Sequence, residues 1–244
     1  MSETQSILDC KPAEIVDAAL VQLQTMGIEL VEWKALLMRR MDVPIILRDF
    51  SYLVPDEDVE AASKLLLDLG LPVTPPSTFT LQTEGDFQAK GHFYRITHAT
   101  TPAIIQHMVI YPLSFSTILL SETQETFPYH LINPLCHTIR VPSPSNVYAS
   151  ILRMMSQYPR FCPTSTVLRS DFSMLMGHHM LTLKSGHVDE CGDEKTLEVD
   201  QWAVDTIQRW SKDQEWRVGE EWMGSALLAV VDGTRDIGDL PCKE

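Results

Sequence analysis

The stretch Ile28–Pro72, IELVEWKALLMRRMDVPIILRDFSYLVPDEDVEAASKLLLDLGLP, carries the reading of the fold. Its apolar spacing predicts a helix over about Trp33–Met41, which Pro44 ends, because proline lacks the amide hydrogen that a helix interior needs. Val43–Leu47 and Phe50–Val54 are short, apolar and rich in β-branched and aromatic residues, and read as strands. Asp49 is the acid between them. Pro55 opens a second helix, with Asp56, Glu57, Asp58 and Glu60 near the positive end of its dipole. Val59, Ala62, Leu65, Leu66 and Leu69 form its apolar stripe, and Gly70 with Pro72 stops it.

On the N-terminal side, Pro12 opens a helix whose apolar face is Ile15, Val16, Ala19, Leu20, Leu23 and Met26, with Gly27 as its stop. Beyond Pro72 a proline-rich loop covers 71–77. Strands are expected between Phe79 and His98, over Ile104–Leu113, over Ser116–Leu120 and over Thr138–Val141, with a polar loop over Ser121–Pro134. From Pro142 the pattern turns helical. Helices are expected from Ser143 to about Tyr158, from Pro163 through Met180, over about Leu197–Lys212 and over Gly219–Val231. Lys184–Asp193 reads as a loop, and the tail from Asp232 reads as loosely held. The expected fold is α+β, a mixed sheet with flanking helices over residues 12–141, followed by a C-terminal helical bundle over 142–240.

The chain has 244 residues, 44% hydrophobic and 21% charged, with a net charge of -14. That is globular composition with ample apolar mass for a core. A field of that sign repels phosphate backbones and anionic lipid, so generic nucleic-acid binding and membrane-surface binding are disfavoured. No apolar run reaches the roughly 18 residues of a membrane span. The opening MSETQSILDCKPAE has neither a basic nor an apolar segment of a secretory signal. Five cysteines, scattered and without a C-x-x-C pair, read as reduced thiols of a cytoplasmic protein.

Residues 12–120 resemble the nucleotidyltransferase-fold superfamily, including fungal nucleotidyltransferase-like proteins with a helical C-terminal half. The family pattern is a strand, a Gly-Gly or Gly-Ser turn opening a helix, a strand bearing Asp-x-Asp, a helix, and a later strand with a third carboxylate. Lys34-Ala35 falls on the glycine turn and Asp49-Phe50-Ser51 on the Asp-x-Asp. His107–Pro112 falls on the later strand. The resemblance implies two magnesium ions held between carboxylates and a triphosphate. Of those carboxylates this sequence supplies Asp49 alone, which is the single candidate metal ligand and catalytic residue. Ser51 offers a hydroxyl, Val109 and its neighbours offer no acid, and Lys34 with Arg48 and Ser51 are the candidate cofactor-binding residues. No cofactor is expected, and magnesium only if the site has been rebuilt.

Other constellations have plainer readings. Asp49 could instead end its strand or pair with Arg48 or Arg95. Lys34, Arg39 and Arg40 could receive a phosphate or carboxylate, or form a solvated helix face. His178 and His179 are adjacent, so a helix points them to different faces, and they read as core or surface residues. The acidic run around His187, Asp189, Glu190, Cys191, Asp193 and Glu194 reads as a solvated loop without the pattern of a calcium site. No nucleophile elbow, P-loop or dinucleotide fingerprint occurs, and adjacent Cys136-His137 does not make a nucleophilic pair. Trp202, Trp210, Trp216 and Trp222 read as helical core.

Three functions follow. The leading one is a non-catalytic nucleotidyltransferase-like protein that binds an unknown small ligand or a protein partner. The second is an active transferase in which acids such as Glu84 or Asp86, on the following strands, replace the missing ligands. The third is an accessory protein of a fungal metabolic pathway, with the acidic surface and the Trp-rich half as its contact face.

Overall fold

Val31–Trp33 forms the first strand, β1, after helix α1 (Pro12–Thr25). The computed structural model describes residues 6–101, 104–132, 134–181 and 201–243. By its internal contacts the chain divides into two units, Met1–Leu37 with Ile45–Ser143, and Met38–Pro44 with Pro144–Glu244. β1 leads through Lys34 into α2 (Ala35–Arg40), whose residues from Met38 on are counted with the second unit, and in the first unit then follow β2 (Phe50–Val54), α3 (Val59–Asp68), α4 (Thr78–Glu84) and α5 (Asp86–Ala89). After them come β3 (His92–Arg95), β4 (His107–Pro112), α6 (Leu113–Ser116), β5 (Thr123–Thr126) and β6 (Ile139–Pro142). The second unit holds α7 (Pro144–Gln157), α8 (Pro163–Leu175), α9 (Gln201–Lys212) and α10 (Trp222–Val231).

The architecture is α+β: a mixed sheet with flanking helices, followed by a helical region. Among the described residues the strands run in the order β3-β4-β2-β1-β6-β5. The β2–β4 and β1–β6 pairs are parallel and the others antiparallel. Every residue of β1 and β2 is buried, as central strands covered on both faces must be. That explains why β2 and β4 read in sequence as continuous apolar runs rather than alternating ones.

Several expectations need correction. Trp33 is a strand residue, because three residues between two neighbours are too few to show a period. Val43–Leu47 is not a strand: Pro44 withholds a donor and Ile46 is 89% exposed. The Phe79–Ala89 segment is helical. Ser77 caps α4, accepting from the Thr80 amide while the Thr80 hydroxyl takes the Ser77 amide, a reciprocal box. Ser116–Leu120 is not a strand either. Thr117 adopts a left-handed φ of 64° that breaks any extended run. Conversely β5 lies within the expected polar loop, and its TQET sequence suits a solvated edge strand. The tail is anchored: Leu240 is buried, Arg169 Nη1 donates to the Ile237 carbonyl at 2.9 Å, and the Lys243 amide donates to the Tyr158 carbonyl at 3.0 Å.

One face of the first unit's sheet is packed with rings. Trp33 meets Phe87, Tyr111 and Phe115 at centroid distances of 5.7, 4.9 and 5.6 Å. Gly91 makes that packing possible. A Cβ there would stand 2.7 Å from Phe93 Cε2, 2.8 Å from Tyr111 Cε1 and 2.9 Å from the Phe87 carbonyl oxygen. Gly91→Ala is therefore expected to cost about 1–3 kcal/mol, the range for overpacking a filled core, read as a lower denaturant midpoint. An unchanged midpoint would mean that the rings yield freely.

Candidate functional site

Alternation along each strand sorts the side chains into rows across that ring-packed face. Trp33 pairs with Ser51, Ser51 with Val109, and Val109 with Phe93, so these four share a row over β1, β2, β4 and β3. All four are buried. By the resemblance read from the sequence, Ser51 falls at the second aspartate and Val109 on the later strand. This row is apolar apart from the Ser51 hydroxyl.

The polar chemistry lies one step along the face. Asp49 immediately precedes β2, as His107 starts β4 and Arg95 ends β3 opposite it. Asp49 Oδ1 accepts from the His107 backbone amide at 3.0 Å and lies 3.1 Å from His107 Nδ1. Arg48 Nε stands 3.5 Å from Asp49 Oδ2, with Arg48 more than half exposed and Asp49 a quarter exposed. Asp49 is thus paired with Arg48 and His107. Arg95, weighed as its partner, instead faces His107 across β3 and β4.

No protein-family model and no curated protein matches the sequence. A crystal structure of an antigenic nucleotidyltransferase-like protein from Paracoccidioides brasiliensis is similar to this chain at 12% identity and a TM-score of 0.37, over 96% of this chain and 94% of that one. What the site can do follows from its own residues.

The other candidates fall as follows. Lys34 sits in the turn between β1 and α2 with φ at 53°, the left-handed region, and its Nζ stands 4.0 Å above the Phe87 ring. Arg39 and Arg40 close α2. Glu84 and Asp86 are on α4 and α5, not on strands. Glu84 accepts from Gln88 at 2.8 Å and Asp86 pairs with Lys90 at 3.6 Å. Among the described residues no three His, Cys, Asp or Glu side chains are grouped so as to hold a metal ion. Magnesium demands several hard oxygen ligands in octahedral array, and the residues around Asp49 do not fit it.

Sequence reading missed a second polar cluster, on the opposite face of the sheet. Glu32 on β1 pairs in register with Tyr52 on β2. His130, from the segment joining β5 to β6, places Nδ1 3.0 Å from Glu32 Oε1 and Nε2 3.0 Å from the Tyr52 hydroxyl. The Glu32 contact has ion-pair distance but lacks hydrogen-bond alignment. The Glu32, Tyr52 and His130 side chains are all buried, so the cluster braces the sheet rather than meeting a substrate. The visible signal was a lone acid in an apolar strand, but its partner lies 98 residues away.

Cys136 is buried, with Sγ 3.3 Å from both Gln24 Oε1 and the Thr138 carbonyl oxygen, either of which can accept its one proton. Burial pushes its thiol up to about 11, so it is a packed group and not a nucleophile. A surface pocket of about 250 Å³ beside the end of α1 holds Arg140, Glu29 and Glu125, but Arg140 is already paired with both acids at 3.0 and 3.7 Å. In the second unit His179 Nδ1 meets the Tyr148 hydroxyl at 3.1 Å. Trp210 and Trp216 are core, whereas Trp202 and Trp222 are 50% and 38% exposed. The acidic run His187–Glu194 lies outside the described residues.

Proposed function

We propose that the chain is a non-catalytic nucleotidyltransferase-like protein whose sheet face around Asp49 binds a small ligand. The observation that supports this is the buried Trp33–Ser51–Val109–Phe93 row. Two-metal transfer needs carboxylates converging on both ions, and this row offers none. Asp49, the remaining acid, has Oδ1 committed to His107. No helix among the described residues is long and apolar enough to cross a membrane.

Titration calorimetry with magnesium and each nucleoside triphosphate in turn tests the proposal. The expected result is no heat beyond dilution. Magnesium-dependent binding that disappears in Asp49→Ala would establish a rebuilt transferase site instead. The placement of Glu84 and Asp86 on locally paired helices gives that alternative no support.

A further inference from the structure

The row that holds Asp49 contains buried polar atoms with nothing to bond. His107 is 7% exposed, and its Nε2 is buried without a hydrogen-bond partner. Arg95 Nε, on the residue directly across the β3–β4 ladder, is in the same condition, as is Thr97 Oγ1 two residues further on. Directly opposed residues in an antiparallel pair put their Cβ atoms about 4.5–5.5 Å apart on one face. Leaving such groups dry costs about 1–3 kcal/mol apiece. Two of them opposed across one ladder, with a third two residues along the chain, mark a place able to receive a polar guest.

Their hydrogen-bonding needs define that guest. An ionised carboxylate only accepts, so in the neutral imidazole the contact of Asp49 with His107 Nδ1 puts the one ring proton on Nδ1 and leaves a lone pair on Nε2. His107 therefore asks for a donor. Arg95 Nε–H can only donate and asks for an acceptor, while the Thr97 hydroxyl serves as either. Charge narrows the choice. Arg48 stands against Asp49 at 3.5 Å, which leaves the Arg95 guanidinium as the excess positive charge of the row. One negative charge balances it. A phosphate dianion would add a second beside Asp49, in a chain whose net charge is already -14. Phe93, edge-on to the His107 ring at 5.6 Å, supplies an apolar wall.

The geometry points to a binding site for a small hydroxy-carboxylate, with its carboxylate on Arg95 Nε and Thr97 Oγ1 and its hydroxyl donating to His107 Nε2. Asp49 fixes the tautomer of His107 and is a positioning residue. This rests on reading the face as a ligand site, and it deepens that reading by naming the ligand class.

Glycolate and lactate, with acetate and inorganic phosphate as comparisons, are titrated into the full chain by calorimetry and by thermal shift. The hydroxy acids are expected to raise the melting temperature and to bind about tenfold or more tightly than acetate, which leaves His107 Nε2 unpaired. Arg95→Gln is expected to abolish the shift. Thr97→Val, which removes one unsatisfied hydroxyl and keeps the shape, is expected to weaken binding severalfold while raising the melting temperature of the free protein. The proposal is overturned if no hydroxy acid shifts the melt, in which case water satisfies these atoms. Equal binding of glycolate and acetate, tighter binding of phosphate, or undiminished binding in Arg95→Gln would also overturn it. None of these outcomes bears on the nucleotide titration, so the two proposals fail separately.

Discussion

Replacing Glu32 by alanine is expected to remove about 3 kcal/mol of folding stability, from the space left at a fully buried side chain and the loss of a polar neighbour to His130. Glu32 is 0% exposed and the His130 side chain 1%. The acid holds the segment between β5 and β6 against the sheet through that ring, and the Tyr52 hydroxyl takes the other ring nitrogen. Without the carboxylate, His130 Nδ1 faces a space too apolar to solvate it. Glu32→Gln keeps the volume and a polar oxygen beside the ring and is expected to lose less than half as much. Equilibrium unfolding in guanidinium chloride measures both. Equal losses in the two variants would show that the carboxylate itself, and not the volume or a polar oxygen, sets the cost.

Glu220→Ala is expected to cost about 3 kcal/mol, near the lower end of the range for breaking one half of a buried charged pair because Glu220 is partly exposed. Arg153 on α7 donates from Nε to Glu220 Oε1 at 2.8 Å and from Nη2 to Oε2 at 2.6 Å, with the arginine side chain 7% exposed. Two parallel charge-assisted bonds fix the segment before α10 against α7 far more firmly than a surface pair could. Arg153→Met removes the charge along with its partner's task and fills much of the same volume, so it is expected to be milder. Thermal melts of the two variants decide this. If Glu220→Ala stays within 1 kcal/mol of the parent, the pair contributes no more than an exposed one.

The elements legible from sequence are those with their own punctuation. Pro12 and Pro163 start α1 and α8, and Gly70, with φ at 85°, closes the turn after α3. The β2 and β4 runs show because central strands need apolar side chains on both faces. β1 did not show, since three residues carry no period, and α4 was hidden because its cap is a Ser77–Thr80 pair and Phe79 is 72% exposed. Asp49 stood out as an acid among apolar residues. Its partner His107 could not be seen, since a parallel register brings together residues 58 apart. Arg95 and Thr97 look unremarkable in the sequence, and only the burial of their polar atoms singles them out.

The turn at Lys34 has a bearing on how such chains are recognised. A residue with a side chain gives up roughly 1–2 kcal/mol to sit in the left-handed region, and here a cation resting on the Phe87 ring offsets part of it. A dihedral angle that glycine adopts without strain is thus held here by a lysine. A pattern written in letters, with glycine demanded between strand and helix, will pass over every chain that solves the turn in this way. A pattern written in backbone angles will find it.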